Sequence, residues 1–132
     1  MSATVRQTPG AIGYIELGYA LINKMSFGVI RNQSGNWITP SLESVTAAAA
    51  GAMKVMGEKT DFRVSITNSP GAQAYPAASF TWLLVRKTYP DSAKARALAQ
   101  FIWWAVTDGQ AKAPGVGYAP LPREMQPWLR TR

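Results

Sequence analysis

The stretch Thr8-Pro9-Gly10-Ala11-Ile12-Gly13-Tyr14-Ile15-Glu16 decides how this chain is read. Pro-Gly sets up a tight turn, and Gly13 lets another backbone come close. Ile12, Tyr14 and Ile15 supply apolar, β-prone bulk, so the segment reads as a turn feeding a short buried strand. A second stretch of related character lies further along, Pro70-Gly71-Ala72-Gln73-Ala74-Tyr75-Pro76-Ala77-Ala78-Ser79-Phe80-Thr81-Trp82-Leu83-Leu84-Val85. Its last six residues are apolar apart from Thr81. That pattern predicts a strand buried on both faces, as in a sheet flanked by helices.

Between and beyond these strands the periodicity alternates between the two kinds of element. Residues 17–24 read as a short helix. Residues 26–32 read as a strand with Phe27, Val29 and Arg31 on one face. The turn cluster Gln33-Ser34-Gly35-Asn36 returns the chain through Trp37-Ile38-Thr39, which predicts a hairpin. Thr39 is the expected N-cap of the next helix, with Pro40 at its first position. Leu42, Val45, Ala49, Ala52 and Met56 recur at helical spacing through residues 41–56, and Gly57 is a suitable stop. Residues 61–66 alternate, with Phe62, Val64 and Ile66 on one face of a half-buried strand. After the break at Tyr89-Pro90-Asp91, residues 92–107 carry a stripe of Leu98, Phe101, Ile102 and Ala105. Asp108-Gly109 closes that helix, an ordered loop follows through residues 113–122, and Pro122 opens a last short helix ending near Leu129. This mixture of strands and helices indicates an α/β fold.

Composition narrows the function classes. The 132 residues include 47% hydrophobic and 11% aromatic residues, enough for a core and too apolar for a disordered chain. No run reaches the roughly 18 to 20 apolar residues of a membrane helix. The chain has no cysteine and no histidine. Disulfides, thiolate metal sites and Ser–His hydrolysis within these residues are therefore excluded. Fourteen Lys and Arg against seven carboxylates give a net charge of +7. The basic residues are scattered, so the charge favours anions in general and points to no specific nucleic acid. The start, Met1-Ser2-Ala3-Thr4, carries no signal-peptide pattern.

In order along the chain, "TPGAIGY" at residues 8–14, the following Tyr19 and Ala20, "PSLESVTAAAAG" at residues 40–51, "DFRVSITN" at residues 61–68, the Pro-Gly-Ala and Tyr-Pro elements, and "GYAPLP" at residues 117–122 resemble the phosphate-binding proteins of bacterial phosphate ABC importers. The likeness is to their C-terminal part and covers nearly the whole chain. It implies a periplasmic-binding-protein-like (type II) fold with three-layer α/β/α elements drawn from two lobes. Residues 1–74 would be the C-terminal part of the second lobe. Residues 75–132 would be the return crossing at Tyr75-Pro76 and the C-terminal part of the first lobe. The resemblance also implies a periplasmic or cell-surface location and an ABC permease as partner. It implies a solute receptor that binds and delivers rather than an enzyme. An alternative is a structural or interaction module that self-associates or complements an N-terminal chain.

That family holds phosphate with a serine/threonine turn at the start of the first lobe, a buried aspartate, and an Arg…Ser-Gly-Thr motif at a helix N-terminus. None of these has a match in this sequence. No phosphate-binding, catalytic or metal-ligating residue is therefore assigned, and no cofactor is expected. Phosphate is an expected ligand only together with the N-terminal part. The nearest substitute is Ser65, Thr67, Asn68 and Ser69 before the Pro70-Gly71 turn, which could offer hydroxyls and amides to an anion. Such residues also form Asx and Ser/Thr turns routinely. Arg63 could approach a cleft, although an arginine on an alternating strand ordinarily faces solvent. Trp103-Trp104 are read as one core tryptophan and one covering a neighbour, because adjacent helical residues diverge by about 100 degrees. Met53 and Met56 are read as core filler. Glu16, Glu43, Asp61 and Asp108 form no recognisable acid/base pair.

Overall fold

A computed structural model describes residues 1–56 and 62–129. Helix α1 (Ser2–Gln7) precedes the opening turn, and α2 (Leu17–Ile22) follows residues 11–16. A hairpin comes next, with β1 (Ile30–Arg31) antiparallel to β2 (Trp37–Ile38). Ile30 stands opposite Ile38 and Arg31 opposite Trp37. Helix α3 (Leu42–Met56) lies at the centre of the core, and α4 (Ser92–Val106) comes much later. A 3-10 stretch (Asp108–Val116) follows α4, and a shorter one (Arg123–Met125) runs into α5 (Gln126–Leu129). The hairpin turn forms where the Gln33–Asn36 cluster predicts it. Gly35 takes a φ of 86°, a left-handed conformation that glycine adopts without steric cost.

Helix α3 starts two residues later than expected. Ser41, not Thr39, supplies the cap: its Oγ accepts from the Ser44 amide at 3.1 Å, and Ser44 Oγ accepts from the Ser41 amide at 2.9 Å. This reciprocal pair satisfies two donors that the helix start would otherwise leave open. The expected stop at Gly57 lies outside the described residues.

The face of α3 formed by Ala48, Ala49, Ala52 and Met56 is buried against Ile66, Ala74, Ala78 and Met125. Small side chains on this face let the segment 66–78 lie directly on the helix. Gly51 shows how tight the fit is, because a Cβ there would overlap the Pro70 carbonyl. At the same crossing Ser69 Oγ donates to the Ala48 carbonyl. Ile66, 2% exposed, is the largest fully buried side chain among the described residues. Its burial is worth about 1.5–3 kcal/mol. Met53 packs on this cluster and Met56 belongs to it, as core filler should.

Residues 62–66 show the expected alternation of burial, with Phe62, Val64 and Ile66 in and Arg63 and Ser65 out, but they pair with no strand among the described residues. Asp61 lies outside the described residues. The strand expected over residues 26–32 shrinks to its last paired positions, and Phe27 and Val29 are exposed.

The largest departure is at residues 80–85. They form no strand among the described residues, and Leu84 is 97% exposed. Only Phe80 reaches the core, where it packs at its edge. A run apolar on both faces needs strands beside it and helices over it. No described strand lies beside this one, so the expected burial does not occur. Residues 11–15 behave alike, with Ile12 and Tyr14 almost fully exposed. Helix α4 forms as read, capped by Asp91, whose carboxylate accepts from the Ala93 and Lys94 amides. Its stripe reaches no core: α4 has no buried residue, and Phe101 is exposed.

Candidate functional site

The turn at residues 65–78 is where the sequence offers hydroxyls and amides, and the fold shows how those groups are used. The Thr67 amide donates to Ser65 Oγ at 3.2 Å, and the Thr67 hydroxyl donates to the Ala78 carbonyl at 3.4 Å. The Asn68 amide donates to the Pro76 carbonyl at 2.8 Å, closing the loop on itself. Asn68 Oδ1 accepts from the Gln33 amide at 2.9 Å, and the Gln33 side chain donates back to the Asn68 carbonyl. Asn68 adopts a φ of 49°, a left-handed conformation that asparagine tolerates better than most residues. Ser69 is buried on α3 through its bond to Ala48. Each of these four side chains thus bonds to the chain's own backbone. Arg63 is exposed on the outward side of the same segment.

Opposite this turn sits a residue that sequence reasoning passed over. Asn32, 5% exposed, follows β1. Its Nδ2 lies 3.1 Å from each of the carbonyl oxygens of Gly71, Ala72 and Ala74. Its Oδ1 accepts from the amides of Ser34 and Asn36 at 3.0 and 3.1 Å. One amide therefore shapes the hairpin turn and ties it to a loop about forty residues away. Asn36 Nδ2 adds a bond to the Ala72 carbonyl at 3.0 Å. The only sequence signal for this joint is an asparagine directly before a turn cluster.

A second polar contact joins distant parts of the chain. Tyr118 Oη donates to Glu16 Oε1 at 2.9 Å, and this bond, with the nearby carboxylate charge, raises the phenol above its ordinary value. Beside it the backbones of Gly18 and Gly117 touch; a Cβ on Gly117 would stand 3.1 Å from Gly18 Cα. Tyr19 and Ile22 complete a shallow depression of about 240 Å³ there. It holds one carboxylate and two phenols and no cationic group, so its chemistry does not suit a phosphate dianion.

The other candidates stay apart. Glu43 lies in the first turn of α3, its carboxyl held below the usual range by its own backbone amide and by the Ser41 hydroxyl. Asp108 begins the stretch after α4 and is exposed. No described group of three His, Cys, Asp or Glu side chains could hold a metal ion. Trp103 and Trp104 are 42% and 46% exposed, so the expected core tryptophan is absent. Instead, Trp104 packs on Phe101 with ring centroids 6.0 Å apart. The reason is the one that exposes the rest of α4: no described layer covers that face.

No family model matches the chain. Curated relatives do. The phosphate-binding protein PstS of Xylella fastidiosa (strain 9a5c) is 40% identical over 122 residues, which is 92% of this chain and 33% of the relative. The phosphate-binding protein PstS of Haemophilus influenzae is 30% identical over 132 residues, 100% of this chain and 39% of its own length. An archaeal PstS, from Methanocaldococcus jannaschii, is 32% identical over 135 residues, 93% of this chain and 34% of its own. The chain is a relative of the PstS phosphate-binding proteins. It spans about a third of the length of the PstS relatives it matches. In this third the exposed apolar run at residues 82–85 and the polar joint at Asn32 coexist, whereas the hydroxyls of the candidate turn are bound to backbone.

Proposed function

We propose that this chain serves as the C-terminal part of a phosphate-binding solute receptor of an ABC phosphate importer, and that it carries none of the receptor's phosphate ligands. The observation that carries this reading is the similarity of nearly the whole chain to proteins named phosphate-binding protein PstS. The Thr67 and Ser69 hydroxyls and the Thr67 and Asn68 amides already donate within the chain, which supports the second half of it, because donors already used cannot replace the water around a dianion. In this role residues 1–74 belong to one lobe of a type II periplasmic-binding-protein fold and residues 75–132 to the crossing and the other lobe. The receptor would act outside the cytoplasmic membrane and deliver phosphate to a permease, with no bond made or broken. Calorimetric titration of the chain with inorganic phosphate tests the absence of a pocket. No heat of saturable binding is expected; uptake at micromolar concentrations or below would overturn it.

The exposed apolar run at residues 82–85 favours a second reading, an interaction module. Unpaired strand edges and uncovered apolar surface drive association. The two readings are compatible when the associating partner is the rest of the receptor.

A further inference from the structure

Helix α4 (Ser92–Val106) has two sides of different character. Leu98, Ile102, Ala105 and Val106 are half-buried, and the Gln110 side chain donates to the Ala105 carbonyl. At about 100 degrees per residue, these four lie on the side of the helix away from Trp104. Trp104 and Phe101, on the other side, are 46% and 56% exposed. Trp104 is nevertheless held in place. Its ring packs on Phe101 with centroids 6.0 Å apart, and a Cβ on Gly109 would stand 3.2 Å from two of its ring atoms.

The charges of α4 are arranged around this aromatic centre. Lys94 and Arg96 are exposed, and each is rotated about 80 degrees from Trp104, one to either side. Between them the surface carries Ala93, Ala97, Gln100, Phe101 and Trp104. No carboxylate occurs within the helix. Asp91, just before it, accepts from the Ala93 and Lys94 amides, and Asp108 lies beyond its end. An apolar centre with an aromatic ring, bordered by long cationic side chains, is the pattern of a helix lying in a lipid–water boundary.

We propose that this side of α4 docks on an anionic lipid surface, with Trp104 and Phe101 entering the headgroup boundary and Lys94 and Arg96 meeting the lipid phosphates. The site is separate from the run at residues 82–85, and it does not depend on the receptor reading. Charge complementarity selects the occupant. The helix brings two cations and no anion, on a chain of net charge +7. Two copies meeting through parallel α4 helices would bring these cations together. A nucleic acid calls for a clustered basic stripe, whereas here the two cations only border an apolar centre.

The test is co-sedimentation of the chain with vesicles of equal parts phosphatidylcholine and phosphatidylglycerol, beside vesicles of phosphatidylcholine alone. Binding to the anionic vesicles is expected to be at least about 10-fold stronger, since each basic residue near such a surface contributes roughly five-fold. It should weaken in high salt. Phe101→Asp should lower the partitioning at least about 10-fold, and so should Lys94→Glu combined with Arg96→Glu. All three side chains are exposed, so the variants keep the circular dichroism of the parent. The charge pair also touches no apolar contact, which keeps the test decisive if Phe101→Asp disturbs the helix. Leu84→Asp, outside α4, should leave the binding intact. The proposal is overturned by absence of binding, by equal binding to the neutral vesicles, or by binding that Leu84→Asp abolishes and the α4 variants spare. Tighter binding to a single-stranded oligonucleotide than to the anionic vesicles also overturns it. So does a dimer, seen by light scattering without lipid, that Phe101→Asp dissociates.

Discussion

Helix α3 and residues 80–85 are both rich in apolar side chains, yet they meet opposite surroundings. Ala48, Ala49, Ala52 and Met56 on α3 find a partner supplied by the same chain, the segment 66–78, which returns over them and is fixed by the Ser69 bond to Ala48. Residues 80–85 need strands on both sides, and none is present among the described residues. A helix satisfies its own backbone hydrogen bonds and asks only for a cover, whereas a strand asks for neighbours before it can be buried at all. That difference separates the two regions: local chain is enough to complete the α3 core and is not enough to complete the sheet.

The comparison can be broken by substitution, and the largest effect belongs to the α3 core. Gly51→Val should cost about 3 kcal/mol or more, because the Pro70 carbonyl occupies the space a side chain needs and a packed loop cannot easily yield. Ile66→Ala should cost about 3 kcal/mol by truncating the largest fully buried side chain among the described residues. Leu84→Ala, by contrast, should change the stability of the chain alone by no more than about 0.5 kcal/mol. Urea denaturation of all three variants checks the contrast; equal losses at Ile66 and Leu84 would dissolve it.

The Asn32 joint comes next. Asn32→Ala leaves the buried Ala74 carbonyl without its donor and should cost about 1–3 kcal/mol. Asn32→Asp keeps the acceptor and loses the donor, so it should restore little of the loss. Denaturation midpoints of the two variants distinguish a hydrogen-bonding role from simple filling of space.

The smallest effects are electrostatic. The Glu43 carboxyl is held below its ordinary value, so the stability it adds is full above the ordinary carboxylate value and fades as pH falls through the lowered one. The Tyr118 phenol is raised by its bond to Glu16, so its contribution is full below the ordinary phenol value and fades as pH rises through the raised one. Melting temperature followed against pH should lose the acid-side slope in Glu43→Gln and the alkaline-side slope in Tyr118→Phe. Both groups are at the surface, so each change should be slight and should shrink further in high salt.

What could be read in advance follows the same division. Helices α3 and α4 and the hairpin turn at residues 33–36 were legible because their signals are local: helical spacing, a proline break, a turn cluster. The α3 start was misplaced by two residues because Thr39-Pro40 and Ser41 both carry start signals, and only the exchange between Ser41 and Ser44 selects one. The role of Asn32 was not legible, since its partners lie some forty residues away and nothing near it marks them. At residues 80–85 the unbroken apolar run was legible, although the strand it predicts does not form among the described residues. Their burial was not, because it depends on strands beyond those described. The candidate turn at Ser65, Thr67, Asn68 and Ser69 was legible as a set of polar groups, while the backbone partners that occupy them required the fold.

Hydrogen exchange followed by mass spectrometry on the chain alone tests the central contrast most directly. The account predicts strong protection of the amides of residues 46–56 in α3 and exchange near the intrinsic rate at residues 81–85. Equal protection of the two segments would contradict it.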